Sequence, residues 1–229
     1  MTDISPLLAT LFGRRVAQTV SRRRDATLLA ALVLLVLATP IADVAPRAQL
    51  VIAAATVAFL LACLQQADAR SGLRVPARLL VVFWLILKLP FPWVDGTWVA
   101  AAAAAVLAIL TLGVIWLVAR RLAHADRVDS ELLCGAIGAY LLLGVFWAGT
   151  YEIISAAAPA AFAGPGGAVP NRSALLYFSF TTLTTTGYGD ITAVNPVARM
   201  WTIFEAIIGT VYNATVVARL VSLYGARAR

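Results

Sequence analysis

Long apolar stretches alternate with short polar or charged segments along the chain. A helix needs about 20 apolar residues to cross the hydrocarbon core of a bilayer. Stretches of about that length predict six membrane-spanning helices, at 26–45, 48–66, 77–94, 97–119, 132–157 and 196–222. The pattern therefore predicts an all-α membrane protein.

The composition agrees with this reading. Hydrophobic residues make up 62% of the chain and charged residues only 13%. A soluble fold of this size could not bury so much apolar surface, so a soluble class is excluded.

Basic residues follow the predicted topology. The net charge of +7 could suggest a nucleic-acid partner, but fourteen of the 18 Lys and Arg residues fall on one side of the predicted spans. This positive-inside bias predicts a multi-pass protein of the plasma (inner) membrane, with both termini cytoplasmic and residues 158–195 outside. We expect membrane lipids as partners and no nucleic acid.

The front part comprises residues 1–131. We expect residues 1–25 to be a cytoplasmic N-terminal segment, either a helix that lies on the cytoplasmic leaflet or a solvated tail. Residues 26–119 are predicted to form a four-span membrane domain. A charged cytoplasmic linker, 120–131, joins it to the rear part of the chain, 132–222. Because the fourth span carries no Arg, we expect little voltage sensing, and Lys88 can snorkel to the interface.

The rear part, 132–222, has a different pattern. An outer helix, 132–157, precedes a Gly- and Pro-rich turret, 158–170, and a short helix, 171–184, which Asn171 or Ser173 can cap. This helix reaches only about halfway through a hydrocarbon core of about 30 Å. Since the last span must begin outside, the chain has to return, which predicts a re-entrant loop.

The loop sequence is "TTTGYGD", residues 184–190. Lipid cannot satisfy non-helical backbone, so the loop must be buried in protein or line a water-filled path. Carbonyl groups that point the same way would suit a desolvated cation, and this arrangement needs positive φ angles that Gly187 and Gly189 adopt readily. The Thr185 hydroxyl adds an oxygen, and Tyr188 can brace the loop against the short helix.

The segment "TTGYGD" resembles the selectivity filter of the tetrameric potassium channels, here of a bacterial six-span type. The resemblance implies that oxygens of Thr185, Thr186, Gly187 and Tyr188 bind K⁺ in the filter, residues 185–189. Thr186 stands where relatives usually have valine. We expect K⁺ selectivity to survive this replacement, and filter stability and inactivation are the properties that it can alter. The resemblance also implies filter support from four residues: Gly189, Asp190, Tyr177 and Phe178.

The same resemblance implies a homotetramer that conducts K⁺ passively and selectively. K⁺ is then the transported species rather than a cofactor, and no cofactor is expected. The alternatives are a weakly selective cation channel and, in a different class, a non-conducting structural helical bundle. No paired carboxylates, nucleophile with a base, or metal cluster indicates an enzyme.

The last span, 196–222, is the predicted inner helix. Its cavity-facing stripe combines Thr210, Asn213 and Val217 at helical spacing. Asn213 can contact hydrated ions there or bond a neighbouring helix.

Two further residues of the inner helix have open roles. Glu205 should avoid lipid, either supporting the filter against hydroxyls such as that of Thr181 or acting in gating. Gly209 matches a hinge position of relatives, although a small residue can simply allow close packing.

The segment after the inner helix, 223–229, is predicted to be a cytoplasmic tail. We expect no regulatory module in it, and we therefore expect gating to come from the filter, the inner helices, the membrane or a separate partner.

Overall fold

The computed structural model describes residues 23–44, 49–66, 74–87 and 96–226. Seven α-helices lie in these ranges: α1 Arg24–Val44, α2 Gln49–Gln66, α3 Arg74–Leu87, α4 Gly96–Ala123, α5 Ser130–Ala157, α6 Arg172–Leu183 and α7 Pro196–Ala226. Two short strands, β1 Phe162–Ala163 and β2 Thr192–Ala193, flank α6. The expectations for residues 1–22, for Lys88 and for 227–229 lie outside the described residues.

The apolar helices differ in length. In the described part of the chain, α1, α4, α5 and α7 are long and apolar enough to cross a membrane, whereas α2 and α3 contribute shorter apolar stretches. The predicted third span, 77–94, is described only as far as Leu87, where α3 ends. A mostly helical membrane protein is therefore confirmed, and the count of six spans stays a prediction.

The front helices pack on the outer helix of their own chain. α4 lies along α5, α1 packs against both α2 and α5, and α3 packs against α4. Leu32 of α1, Leu107 of α4 and Leu142 of α5 belong to one buried core. At Gly149, an added Cβ would lie 3.4 Å from the Ala104 carbonyl oxygen, an ordinary van der Waals distance, so α4 and α5 are in direct contact here.

A polar group of residues joins the front helices to the start of α5. The Arg121 guanidinium pairs with the Asp25 carboxylate at 2.9 Å and donates to Gln66 Oε1 at 2.5 Å. Gln66 in turn donates to the Arg24 carbonyl oxygen, and the Asp25 amide donates to Glu131 Oε2. We call these five residues the Arg121 cluster, and it connects the ends of α1, α2, α4 and α5.

The linker between the two parts is shorter than predicted. The expected segment was 120–131, but α4 continues to Ala123 and α5 begins at Ser130. Basic side chains in a last turn favour helix, and Arg120 and Arg121 occupy that turn of α4. The Asp129 side chain accepts from the Leu132 amide at 2.8 Å and so caps α5.

The strand pair is the main departure from the predicted all-α class. Phe162 pairs with Ala193 and Ala163 with Thr192 in antiparallel register. The predicted turret, 158–170, therefore contains β1 together with a 3₁₀ turn at Pro165–Gly167. Because β1 precedes α6 and β2 follows the loop, both ends of the α6–loop segment return to one place, as a re-entrant path requires.

Candidate functional site

The short helix α6 begins at a defined cap. Asn171 Oδ1 accepts from the Ala174 amide at 2.9 Å, and the Ser173 hydroxyl donates to the same oxygen at 3.0 Å. Asn171 is thus the cap, with Ser173 as its support. The 12 residues of α6 extend about 18 Å, so the helix spans only part of a bilayer core of about 30 Å.

The loop after α6 folds back onto the last turn of that helix. The Thr185 amide donates to the Thr182 carbonyl oxygen at 2.9 Å. The Thr181 carbonyl oxygen accepts from two amides, those of Thr186 at 2.8 Å and Gly187 at 3.0 Å. The position of the last turn of α6 therefore determines where the loop backbone starts.

Every second residue of the loop, from 185 to 189, has a positive φ angle. Gly187 has φ 54° and Gly189 has φ 79°, as the sequence predicts, and Thr185 also has a positive φ, 58°. The positive φ of Thr185 was not predicted, because such a conformation is rare for a β-branched residue. Its amide bond to Thr182 and the donation of its hydroxyl to the Thr184 carbonyl oxygen, 2.7 Å, hold it in place. Strained backbone of this kind concentrates at functional sites.

The loop lies on the surface of the single chain. Residues 184–190 are all exposed. A Cβ added to Gly187 or Gly189 would meet nothing within 4 Å. The chain alone therefore leaves the polar backbone of this loop uncovered.

The outer end of the loop is tied to α6. The Tyr177 hydroxyl donates to Asp190 Oδ2 at 2.9 Å, and the Ile191 amide donates to Asp190 Oδ1 at 3.1 Å. The rings of Tyr177 and Tyr188 stack with centroids 6.3 Å apart and planes 3° from parallel. Both Asp190 and Tyr188 therefore contact α6, and the filter support predicted for Asp190 and the bracing predicted for Tyr188 stay predictions.

A buried aromatic group fills the space behind α6. Phe178 lies 5.3 Å from Tyr151 and 5.5 Å from Phe162 between ring centroids. Edge-on and tilted arrangements at these distances are the favourable geometries for aromatic pairs. Phe178 therefore fixes α6 against α5 and β1.

Glu205 is completely buried where α5, α6 and α7 meet. One carboxylate oxygen lies 2.5 Å from the Ser179 hydroxyl, and the other accepts from the Tyr151 hydroxyl at 2.5 Å. The predicted contact with the Thr181 hydroxyl is wrong, because that hydroxyl donates to the Phe178 carbonyl oxygen instead. Residues two apart lie on different faces of a helix, so Ser179 faces α7 and Thr181 does not.

The predicted cavity stripe lies on an uncovered face of α7. Thr210, Asn213 and Val217 are all exposed in the single chain. Asn213 Nδ2 also donates to the Tyr140 hydroxyl oxygen on α5 at 3.3 Å. The structure thus shows the interhelical contact for Asn213 while leaving the residue exposed.

Gly209 lies against the end of α6. An added Cβ there would collide with the Leu183 carbonyl oxygen. This close approach favours packing over a hinge as the reason for a glycine at this position.

Sequence reasoning missed three hydroxyl residues of this region: Tyr140, Tyr151 and Ser179. Each places a hydroxyl in an apolar helix, where a buried donor needs a partner. That requirement could have marked them, although the partner itself depends on how the helices cross.

The fold and the site together define an integral membrane protein with a half-length helix and a loop between two long apolar helices. Residues 139–225 match a protein-family model described as an ion channel. The match covers less than half of the chain and includes most of α5, all of α6, the loop and nearly all of α7. Neither the curated proteins nor the solved structures compared with the chain give a match. The family match supports a channel and identifies neither the ion nor the number of chains.

Proposed function

We propose that this protein is a potassium-selective channel in which residues 185–189 form the selectivity filter. The observation that carries this proposal is the alternating positive φ at Thr185, Gly187 and Gly189, placed directly after a half-length helix. Backbone oxygens of residues 185–188 and the Thr185 hydroxyl would replace the hydration shell of K⁺, as in the filters that this loop resembles.

A ring of oxygens needs several copies of the loop. One chain supplies one loop and leaves it exposed, so closed symmetry with four chains around one axis would complete the ring. Large apolar side chains of α7 are also exposed in the single chain, among them Ile203, Ile207 and Val211. In the proposed homotetramer, neighbouring chains and lipid cover them.

The proposed pathway continues below the filter. Each α6 directs its C-terminal end, which carries partial negative charge, toward the axis and favours a cation there. Thr210, Asn213 and Val217 of α7 would line the cavity. The six-span topology, with both termini cytoplasmic in the plasma membrane, remains part of this proposal.

The functional test is K⁺ flux into proteoliposomes that contain the purified protein, compared with Na⁺ flux in the same preparation. Gly187→Ala is the test variant, because a Cβ at positive φ disfavours the conformation by about 1–2 kcal/mol in every chain. Gly113→Ala in α4 is the matched control, since it also has nothing within 4 Å and lies inside an ordinary helix.

We expect Gly187→Ala to lose K⁺ conduction or selectivity while expression is retained, and Gly113→Ala to conduct as the unmodified protein does. Unchanged flux in Gly187→Ala would remove residues 185–189 from the proposed role.

A further inference from the structure

The C-terminal end of α6 has a complete set of hydrogen-bond partners. A helix leaves its last four carbonyl groups without partners inside the helix. In α6 the first three of these carbonyls accept from amides of the loop that follows, and these carbonyls belong to Phe180, Thr181 and Thr182. The fourth carbonyl belongs to Leu183, the last residue of the helix. It needs a donor from another part of the chain.

The donor is the hydroxyl of Tyr140 on α5. Tyr140 Oη donates to the Leu183 carbonyl oxygen at 3.1 Å. Gly209 lets the backbone of α7 approach this same carbonyl, where a Cβ would collide. The Leu183 carbonyl is thus the point where the outer helix, the short helix and the inner helix meet.

Tyr140 is itself held from the inner helix. Asn213 Nδ2 donates to the Tyr140 hydroxyl oxygen at 3.3 Å. The Tyr140 and Tyr212 rings lie 5.6 Å apart between centroids. The Tyr212 hydroxyl, in contrast, donates to the Ala136 carbonyl oxygen on α5 and makes no bond to α6.

The last turn of α6 transmits its position directly to the loop, because the amides of Thr185, Thr186 and Gly187 bond to carbonyls of that turn. We propose that Tyr140 is a positioning residue for the filter: its hydroxyl holds the end of α6 at the height at which the loop oxygens match K⁺. This inference rests on the proposed function and adds a residue outside the loop that determines selectivity.

The experiment compares Tyr140→Phe with Tyr212→Phe, which removes the same hydroxyl from the neighbouring ring. The readouts are the K⁺ to Na⁺ flux ratio in proteoliposomes and hydrogen exchange of the amides of residues 185–187. We expect Tyr140→Phe to lower the flux ratio about fivefold, as loss of one hydrogen bond implies, and to speed exchange of these amides. Tyr212→Phe should leave both readouts unchanged.

A variant that keeps the hydroxyl covers the case in which Tyr140→Phe does not assemble. Placing 3-fluorotyrosine at position 140 makes the hydroxyl a stronger donor, so the loop amides should exchange more slowly than in the same replacement at position 212.

The outcomes separate the two proposals. If the unmodified protein prefers K⁺ but Tyr140→Phe matches Tyr212→Phe in flux ratio and exchange, the inference is overturned and the proposed function stands. Equal K⁺ and Na⁺ flux in the unmodified protein would overturn the proposed function, and the inference with it.

Discussion

Glu205 shows how one buried carboxylate connects three helices. It accepts from hydroxyls of α5 and α6 while its own backbone belongs to α7. A buried polar group without a partner is costly, whereas a satisfied network fixes a single packing arrangement. The position of α6, and with it the loop, therefore depends on this carboxylate as well as on apolar packing.

Glu205→Leu should destabilise the protein by roughly 1–3 kcal/mol, because it leaves the buried Tyr151 hydroxyl without its acceptor. Glu205→Gln keeps one acceptor oxygen and should have a smaller effect. Thermal unfolding of the purified protein measures both.

A double variant provides the control for the Glu205 prediction. Tyr151→Phe should destabilise the unmodified protein but have little further effect in the Glu205→Leu background, since the two residues share one bond. Fully additive effects would contradict the assigned contact.

The structure adds contacts for Gly209 and Thr186 that the sequence could not predict. From the sequence alone, hinge and packing were equal explanations for Gly209, and only the neighbouring Leu183 carbonyl favours packing. The Thr186 hydroxyl lies 2.9 Å from that of Thr184, so it has a partner within the chain. Its carbonyl remains the group that the proposed filter requires at this position.

At the scale of elements, the helices of the rear part follow closely from the sequence. Asn171 caps α6, and Gly187 and Gly189 adopt the positive φ angles of the loop, so local chemistry sets the start of the helix and part of the loop backbone. The two-residue strands β1 and β2 have no periodicity to detect, and their pairing joins residues about thirty positions apart. The partners of Glu205 were missed for a similar reason, because they depend on how three helices cross.

The Arg121 cluster is the polar contact between the front helices and α5. Arg121→Gln should lower the free energy of unfolding by about 1–3 kcal/mol, because the largely buried Asp25 carboxylate loses its cationic partner. The Arg121 guanidinium is partly exposed, so solvent screening reduces this effect. Thermal unfolding of the purified protein measures the change.

The matched control for Arg121 is its neighbour. Arg120→Gln removes only a contact over the Trp116 ring, 5.5 Å from the ring centroid, and should have an effect below about 1 kcal/mol. Equal losses in the two variants would contradict a specific role for the cluster.

At the scale of the whole molecule, polar contacts join the front helices to the rear part beside the apolar packing of α1 and α4 on α5. One is the Arg121 cluster. Another is Arg219 of α7, whose guanidinium donates to the carbonyl oxygens of Ala123 at 3.1 Å and Ala125 at 3.0 Å. A change in the front helices can therefore reach both α5 and the end of α7, which gives the proposed channel a physical route for gating.

The proposed assembly around a central axis would explain the exposed loop and the uncovered face of α7 together. In it, each chain would contribute its own front helices, packed on its own α5, and one loop to the shared ring. The proposed four chains would place all exposed glycines of residues 185–189 around the axis, where no side chain obstructs the ions.

The most direct test of the central claim is the reversal potential of the purified protein in a planar bilayer with K⁺ on one side and Na⁺ at equal concentration on the other. A tenfold preference for K⁺ displaces this potential by about 59 mV from zero. We predict a displacement of at least that size in the direction of K⁺ selectivity. A conducting preparation that reverses at zero would contradict the proposed potassium filter.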